Sequence, residues 1–312
     1  MHSARDEPEP TRGGATAKRV PAQGSLSRVT AERLIRFRRA LGYLPPPVRR
    51  AAAGFWLDLA SLSARLRDPS RRGDPWQTVH NIGPGDFQRS GSSLMADLVA
   101  HAGLKPSDHV LDIGCGVGRV ALPLADYLDA GGGYVGFDIS RRAIAGCQKR
   151  FKPTRPDFAF VWLDARNGDY NAGGAIAETE ARFPCADASV DVAFAASVFS
   201  HVRMGTIARY LGEAARVLKP GGRFWFTAYA LTPERRAAMA RGETRLALLP
   251  WKDGAMVMDP RSPERAIAHD AEAFTRAIED AGLRLTAPWR AGDWAPGGVL
   301  GDWQDIWVVE KP

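Results

Sequence analysis

An α/β domain on a largely parallel sheet is the fold class this sequence predicts, and three observations carry the prediction. From about Gly73 to the C-terminus, strand-like and helix-like patterns alternate, as parallel strands and their crossover helices do. The segment HVLDIGCGVGR, His109 to Arg119, drives a short apolar strand into glycines at 114, 116 and 118. Acidic residues then close three successive strand patterns, at Asp112, Asp138 and Asp164.

The elements follow in chain order. Residues 1–28 are rich in Pro, Gly, Ala, Arg and Ser and offer little to bury, which predicts a disordered tail. Residues 29–72 form a basic helical arm. Leu34, Phe37, Leu41 and Leu44 make one helical stripe with Thr30 as its cap; Val48, Ala52, Phe55, Leu59, Leu62 and Leu66 make a second after a run of prolines. Either the stripes pack on the main domain as a cap over its cleft, or they lie on an anionic membrane or a partner. Residues 73–312 are the main domain. SGSSLMADLVAHAGL predicts a helix from Ser90 or Gly91 to His101. HVLDI, YVGFDI, FAFVWLD, VDVAFAAS and RFWFTAYA predict five strands, with helices over VGRVALPLADYL, RRAIAGCQKRF and MGTIARYLGEAARVL between them. DAEAFTRAIEDAG is a late helix with Asp270 as its cap, and LRLTAPWR and QDIWVVEK are two closing strands.

Composition narrows the function. With 312 residues and a 45% hydrophobic fraction the chain can bury an ordinary core. No apolar run nears the roughly 20 residues of a membrane span, and the first residues lack the apolar centre of a signal peptide, so a cytosolic protein is expected. Cys115, Cys147 and Cys185 are scattered, without the spacing of a zinc site or a disulfide framework, and read as reduced thiols. Residues 1–72 hold 15 Lys and Arg against 6 Asp and Glu, whereas the remainder holds 27 against 29. The net charge of +7 therefore belongs to the arm, and the nearly neutral body argues against a nucleic-acid track.

The glycines ask which ligand they approach. A dinucleotide fingerprint reads GxGxxG; here the third glycine comes two residues after the second and Arg119 follows. Asp112 at the loop entrance would repel a pyrophosphate and favour a cationic, amino-bearing ligand. Asp138, 20 residues past Gly118, can accept both hydroxyls of a ribose. Asp164 can accept from an adenine amino group, while the backbone N–H of Ala165 donates to the ring. The ligand these acids suit is a nucleoside with a positively charged, amino-containing tail.

With VLDIGCGVGR, GFDIS, WLDA, FPCADASVDVAFAASVFSHV and RVLKPGGRFWFT in that order, the chain resembles the class I S-adenosylmethionine-dependent methyltransferases, closely over Ser90–Phe226. The resemblance implies a Rossmann-like sheet of seven strands, order 3-2-1-4-5-7-6, the last antiparallel. It implies S-adenosyl-L-methionine as cofactor. Gly114, Gly116 and Gly118 would lie against the methionine part, Asp112 by its amino group, Asp138 at the ribose, Asp164 and Ala165 at the adenine, with Ile139 and Ser197 also contacting the cofactor. Arg119 reads as a structural or helix-start residue. A narrower resemblance rests on GPGDF, GCQKRF and ARNGDYNAGGAI, which recur in bacterial methyltransferases known by fold more than by substrate. In that last loop Tyr170 and Asn171 either face the cleft or hold the loop in shape.

Methyl transfer needs nucleophile, methyl and sulfur held in line, and a base only where the acceptor is protonated. His201, after the fourth strand, is the candidate base or substrate contact, with His80 and Tyr229 behind it. The Asn/Asp-Pro-Pro-aromatic run of amine and amide methylating enzymes is replaced by AASVF, and Pro184–Cys185 precedes the strand rather than following it. A small-molecule, sugar or lipid-linked acceptor is therefore expected. The insertion 231–269 and the arm would form a lid, and Trp251, Trp289 and Trp294 would either line an acceptor pocket or pack in the core. Two rivals remain: a cofactor-binding protein without transferase activity, and an NAD-linked oxidoreductase, which the glycine spacing disfavours.

Overall fold

The structure, a computed structural model, describes residues 86–312 continuously, together with Phe55, Asp58, Leu59, Leu62, 65–68 and 74–76. All of these belong to the unit Arg50–Pro312. The expected tail, the first arm helix and His80 lie outside the described residues. Where the second arm stripe is described it is helical, and Phe55, Leu59, Leu62 and Leu66 are exposed while Asp58 is buried. At these four positions the stripe does not face a core. Among the described residues no helix is long and apolar enough to cross a membrane.

The first helix, α1 (Phe87–Asp97), starts three residues before the predicted Ser90. Asp86 caps it, its carboxylate accepting from the Arg89 N–H at 3.0 Å. A π turn, Leu98–Ala102, carries it to Gly103. Then β1 (His109–Ile113), α2 (Ala121–Tyr127), β2 (Gly133–Asp138), α3 (Arg141–Phe151), β3 (Ala159–Trp162) and β4 (Val190–Ala195) follow as the apolar patterns predict. α2 begins later than its sequence pattern, because turns from the glycine loop occupy the residues before it. α4 (Met204–Val217) leads into β5 (Leu218–Leu231). α5 (Pro233–Ala240), β6 (Leu249–Pro250), β7 (Met256–Val257) and β8 (Ile267–Asp270) fill the insertion. α6 (Ala271–Asp280) is capped by Asp270, as predicted. β9 (Arg284–Leu285) is cut short before Pro288, which has no N–H to give a ladder, and β10 (Asp305–Glu310) closes the chain.

β3, β2, β1, β4 and β5 run parallel in that order. β10 pairs antiparallel with Arg223–Ala228 of β5, and β9 pairs with β10. This path is the expected seven-strand order, 3-2-1-4-5-7-6. Among the described residues the sheet nevertheless has ten strands, because β5 is 14 residues long and forks. Beyond β10, its last residues, Tyr229–Leu231, pair in parallel with β8, which carries β7 and β6.

Helices cover both faces. On one, α4 and α6 close over Phe199, Phe224, Phe226, Phe274 and Trp307, with Phe226 and Trp307 stacked at 5.9 Å. On the other, the helices α1 to α3 and their flanking turns close over residues such as Leu98, Leu124, Tyr134, Ile144 and Trp225. Where β5 forks, Asp305 at the start of β10 is fully buried and accepts four bonds: from Ala230 N (2.7 Å), Gly292 N (2.7 Å), Arg235 Nη1 (2.8 Å) and Trp294 Nε1 (3.1 Å). The Arg235 guanidinium, on α5, sits 4.9 Å from both the Trp289 and Trp294 rings. The insertion is thus pinned to the sheet by one buried ion pair.

Removing one partner of a buried pair strands the other's charge away from water. Asp305→Ala should therefore cost about 3–5 kcal/mol in urea unfolding; a loss below about 1 kcal/mol would show that Arg235 finds another anion or water.

Candidate functional site

The site grows from the end of β1. The glycine loop turns back on β2: Gly114 N and Cys115 N both donate to Phe137 O at 2.9 Å, and Gly116 N donates to Asp138 Oδ2 at 2.8 Å. Asp138 Oδ1 also accepts from Ser140 N at 2.7 Å. Gly114 has φ +73°, and a Cβ there would stand 2.6 Å from a methyl of Val198, so only glycine fits. Beneath the loop Asp112 accepts from Tyr134 Oη at 2.8 Å. Gly136 is what lets that phenol through, since a Cβ on it would meet Tyr134 Oη at 2.5 Å.

Two adjoining chambers, each about 460 Å³, open at the carboxyl ends of these strands. Asp112, Gly114, Gly116, Asp138, Ile139 and Ala165 line the first, as do Ser197 and His201. Two of the expected residues do not. Gly118 packs beneath the loop, against Phe151 and Cys147. Asp164 is tied by Asn171, whose Nδ2 donates to its Oδ1 at 2.9 Å and to Ala165 O at 3.0 Å. Asn171 thus holds the loop in shape, while Tyr170 lines the chamber and meets the His201 ring edge-on at 5.5 Å. Cys115 and Cys147 are buried, and the Cys147 thiol sits 3.4 Å from Gly116 O, a packing arrangement.

The second chamber lies over β4, β5 and the start of β10, against α1. Arg119, Ala196, Ser197, Trp303 and Gln304 belong to both chambers. Ser197 has φ +62°, rare for a residue with a side chain, and its N–H donates to Thr227 Oγ1 at 2.7 Å. Thr227 donates to Gln304 Oε1 at 2.5 Å, and Gln304 Nε2 donates to Ser200 Oγ at 3.1 Å. This chain of hydrogen bonds fixes the wall between the chambers. Tyr229 and the three tryptophans singled out in sequence line neither chamber. Tyr229 accepts from Trp303 Nε1 at 2.7 Å; Trp251 lies under the Arg203 guanidinium at 5.3 Å.

Burial sets the electrostatics. It pushes the Asp112 carboxyl up to about 7, although the Tyr134 hydrogen bond pulls the other way. It also raises Asp138, against the pull of the Ser140 and Gly116 N–H groups, and it raises Glu178 at the far side of the chamber. Burial lowers His201, which is therefore neutral. Its Nδ1–H donates to Glu264 O at 2.9 Å, leaving Nε2 as the ring's acceptor. His201 lines the first chamber beside Tyr170 and does not reach the second. Among the described residues no cluster of three His, Cys, Asp or Glu is placed for a metal.

Sequence reading missed Trp303, Gln304 and Thr227, and took Arg119 for structure although it lines both chambers. Arg119 had a signal, its place directly after the glycines. Trp303 and Gln304 had none, because only the return of β10 beside β5 brings them to the site.

Residues 111–224 match the family model of a methyltransferase domain. The chain is 28% identical over 205 residues to an uncharacterized 37.1 kDa protein in transposon TN4556 of Streptomyces fradiae, covering 64% of this chain and 53% of that one. It is 30% identical over 135 residues to the demethylmenaquinone methyltransferase of Symbiobacterium thermophilum, covering 41% of this chain and 45% of that one. The matched stretch thus spans about half the length of these relatives. The crystal structure of the PH0226 protein of Pyrococcus horikoshii OT3 shares the fold, with a TM-score of 0.51 at 17% identity over 78% of this chain and 99% of that one. Residues 111–224 thus match a methyltransferase domain, set on this sheet order and glycine loop.

Proposed function

We propose that the chain binds S-adenosyl-L-methionine in the first chamber and moves its methyl group to a small-molecule, sugar or lipid-linked acceptor. The observation that carries this reading is a pair of carboxylates, buried Asp112 and half-buried Asp138, on either side of a glycine loop with an open face. A Cβ on Gly116 would meet nothing within 4 Å, so a ligand can lie against bare backbone there. The donor set suits the cofactor: Asp112 for its ammonium, Asp138 for its ribose hydroxyls, and Ile139 and Ala165 for its base. Asp164 would reach the adenine amino group by giving up its bond to Asn171.

The cofactor supplies a methyl carbon already activated on a sulfonium: the acceptor's lone pair forms the new bond as the carbon–sulfur bond breaks, a neutral thioether leaves, and any acceptor proton goes to a base or water. The protein's work is to bind, orient and exclude water. The wall from Ser197 through Thr227 to Gln304 is rigid enough to set a line of approach between the chambers. His201, tied to Glu264 and placed beside Tyr170, supports the cofactor side, and we assign it binding before proton transfer. Residues 231–269 act as the lid, anchored by Arg235. The basic arm 29–72 is the segment we propose for contact with an anionic membrane or a partner, on a protein otherwise working in the cytoplasm. A binding protein without transferase activity is the alternative, and a labelled-methyl assay on a metabolite extract separates the two.

Three measurements test this reading. By calorimetry the chain should bind S-adenosylhomocysteine and not NAD; Asp138→Ala should weaken binding at least about tenfold, the value of roughly one lost charge-assisted contact. Tight NAD binding would overturn the proposal.

The Asp112 carboxyl, raised to about 7, must ionise to meet an ammonium. Affinity for S-adenosylhomocysteine should therefore fall about tenfold per pH unit below pH 7, with one proton released on binding, and flatten above it. In the free protein the sign is opposite. The folded carboxyl keeps its proton to about 7 whereas the unfolded one loses it near 3.8, so its stabilising contribution is full below about 4, falls by about 1.4 kcal/mol per pH unit from there to about 7, and is gone above it. Asp112→Asn should remove both dependences; their persistence would place the titration elsewhere.

His201→Ala should weaken S-adenosylhomocysteine binding several-fold while turnover at saturating cofactor stays within about threefold. A loss of two or more orders of magnitude in turnover, with cofactor affinity kept, would instead make it the base.

A further inference from the structure

We propose that the second chamber is the acceptor site and that it takes an acceptor bearing a carboxylate or similar anionic oxygen, gripped by Arg119 and Arg89. This rests on the reading of the first chamber as the cofactor site.

The two chambers differ in which charges remain available. The first presents Asp112, Asp138 and Glu178, which suit a cationic donor. In the second, two of the three acids are already in ion pairs and the third caps a helix. Asp86 caps α1 through the Arg89 N–H. Asp97 pairs with Arg290 at 3.4 Å, and Asp302 pairs with the same guanidinium at 2.8 Å. The two cations of the lining, Arg89 and Arg119, form no side-chain hydrogen bond or ion pair with any described residue. Arg89 is exposed at the mouth, and Arg119 is half-buried where the chambers meet.

A half-buried guanidinium stays charged, and burial without a paired anion is unfavourable. Burial does act against the charge of Arg119, and only the carboxyl of Asp112 opposes it from a distance. An incoming anion would relieve that cost, and the planar fork of five N–H donors matches a carboxylate edge-on. The floor under it is apolar. Trp225 is fully buried there, its indole N–H unpaired among the described residues, and Ile306 lies beside it. A flat or apolar body on this floor, with its anionic end on Arg119, would reach the wall shared with the first chamber. The cationic donor and the anionic acceptor then lie on opposite sides of Arg119, each in the field that favours it.

The test uses the full chain saturated with S-adenosylhomocysteine, with benzoate and its neutral isostere benzamide as probes, read by calorimetry and ligand-observed NMR. Benzoate should bind with a millimolar dissociation constant and benzamide at least about tenfold more weakly. Arg119→Gln and Arg89→Gln should each weaken benzoate at least fivefold, and Arg119→Lys should recover part of the loss. Equal binding of the two probes, or binding of neither, would overturn the proposal. So would an Arg119→Gln variant that keeps benzoate but loses S-adenosylhomocysteine, since Arg119 would then serve the donor's own carboxylate. Failure of the wild-type chain to bind S-adenosylhomocysteine at all would strike the cofactor reading instead.

Discussion

The site depends on a stitch between two strand ends. Three consecutive backbone N–H groups, of Gly114, Cys115 and Gly116, are spent on the end of β2, two on Phe137 O and one on the Asp138 carboxylate. Such a run is possible because the glycines at 114 and 116 take positive φ. The loop and the acid therefore move as one piece, and the acid is aimed before any ligand arrives. Preorganisation of this kind spares binding the cost of ordering a loop.

Beneath that stitch lies a second, buried interaction with the opposite character. Asp112 is removed from water and given one hydrogen bond, from Tyr134, across the notch that Gly136 leaves. One neutral donor does not repay a buried charge, so the carboxyl holds its proton near neutrality. The free site stores an unfavourable ionisation that a cationic ligand would release. Arg119 stores the converse at the wall of the second chamber. Asp112, buried on a single neutral donor, and Arg119, half-buried without an anion, divide the cleft into a side that favours positive charge and a side that favours negative.

Much of this was legible in the sequence because it is local. The strand that ends in Asp112, the alternate glycines and the acid closing β2 all lie within one β-α-β unit, where short-range pattern fixes geometry. The Asp270 cap is of the same kind. What escaped is carried by the chain's return. Gln304 and Trp303 reach the site because β10 comes back against β5, pairing residues about 80 positions apart in register. The fork of β5 was invisible for a related reason: an apolar run shows its length, but not that two partners share its edge. Trp289 and Trp294, which could have lined a pocket or packed, are held by Arg235 and Asp305, a buried ion pair whose members stand 70 residues apart. Asp164 looked like its two fellow acids from its place at a strand end, yet its own loop supplies Asn171 as a partner.

The account stands on Asp138 as the carboxylate that the loop holds ready for a ribose. Crystals grown with S-adenosylhomocysteine measure this directly. Both ribose hydroxyls should lie within about 3 Å of the Asp138 oxygens, with Gly114 and Cys115 still bonded to Phe137. A nucleoside bound away from this loop, or along it with its sugar turned from Asp138, would contradict the account.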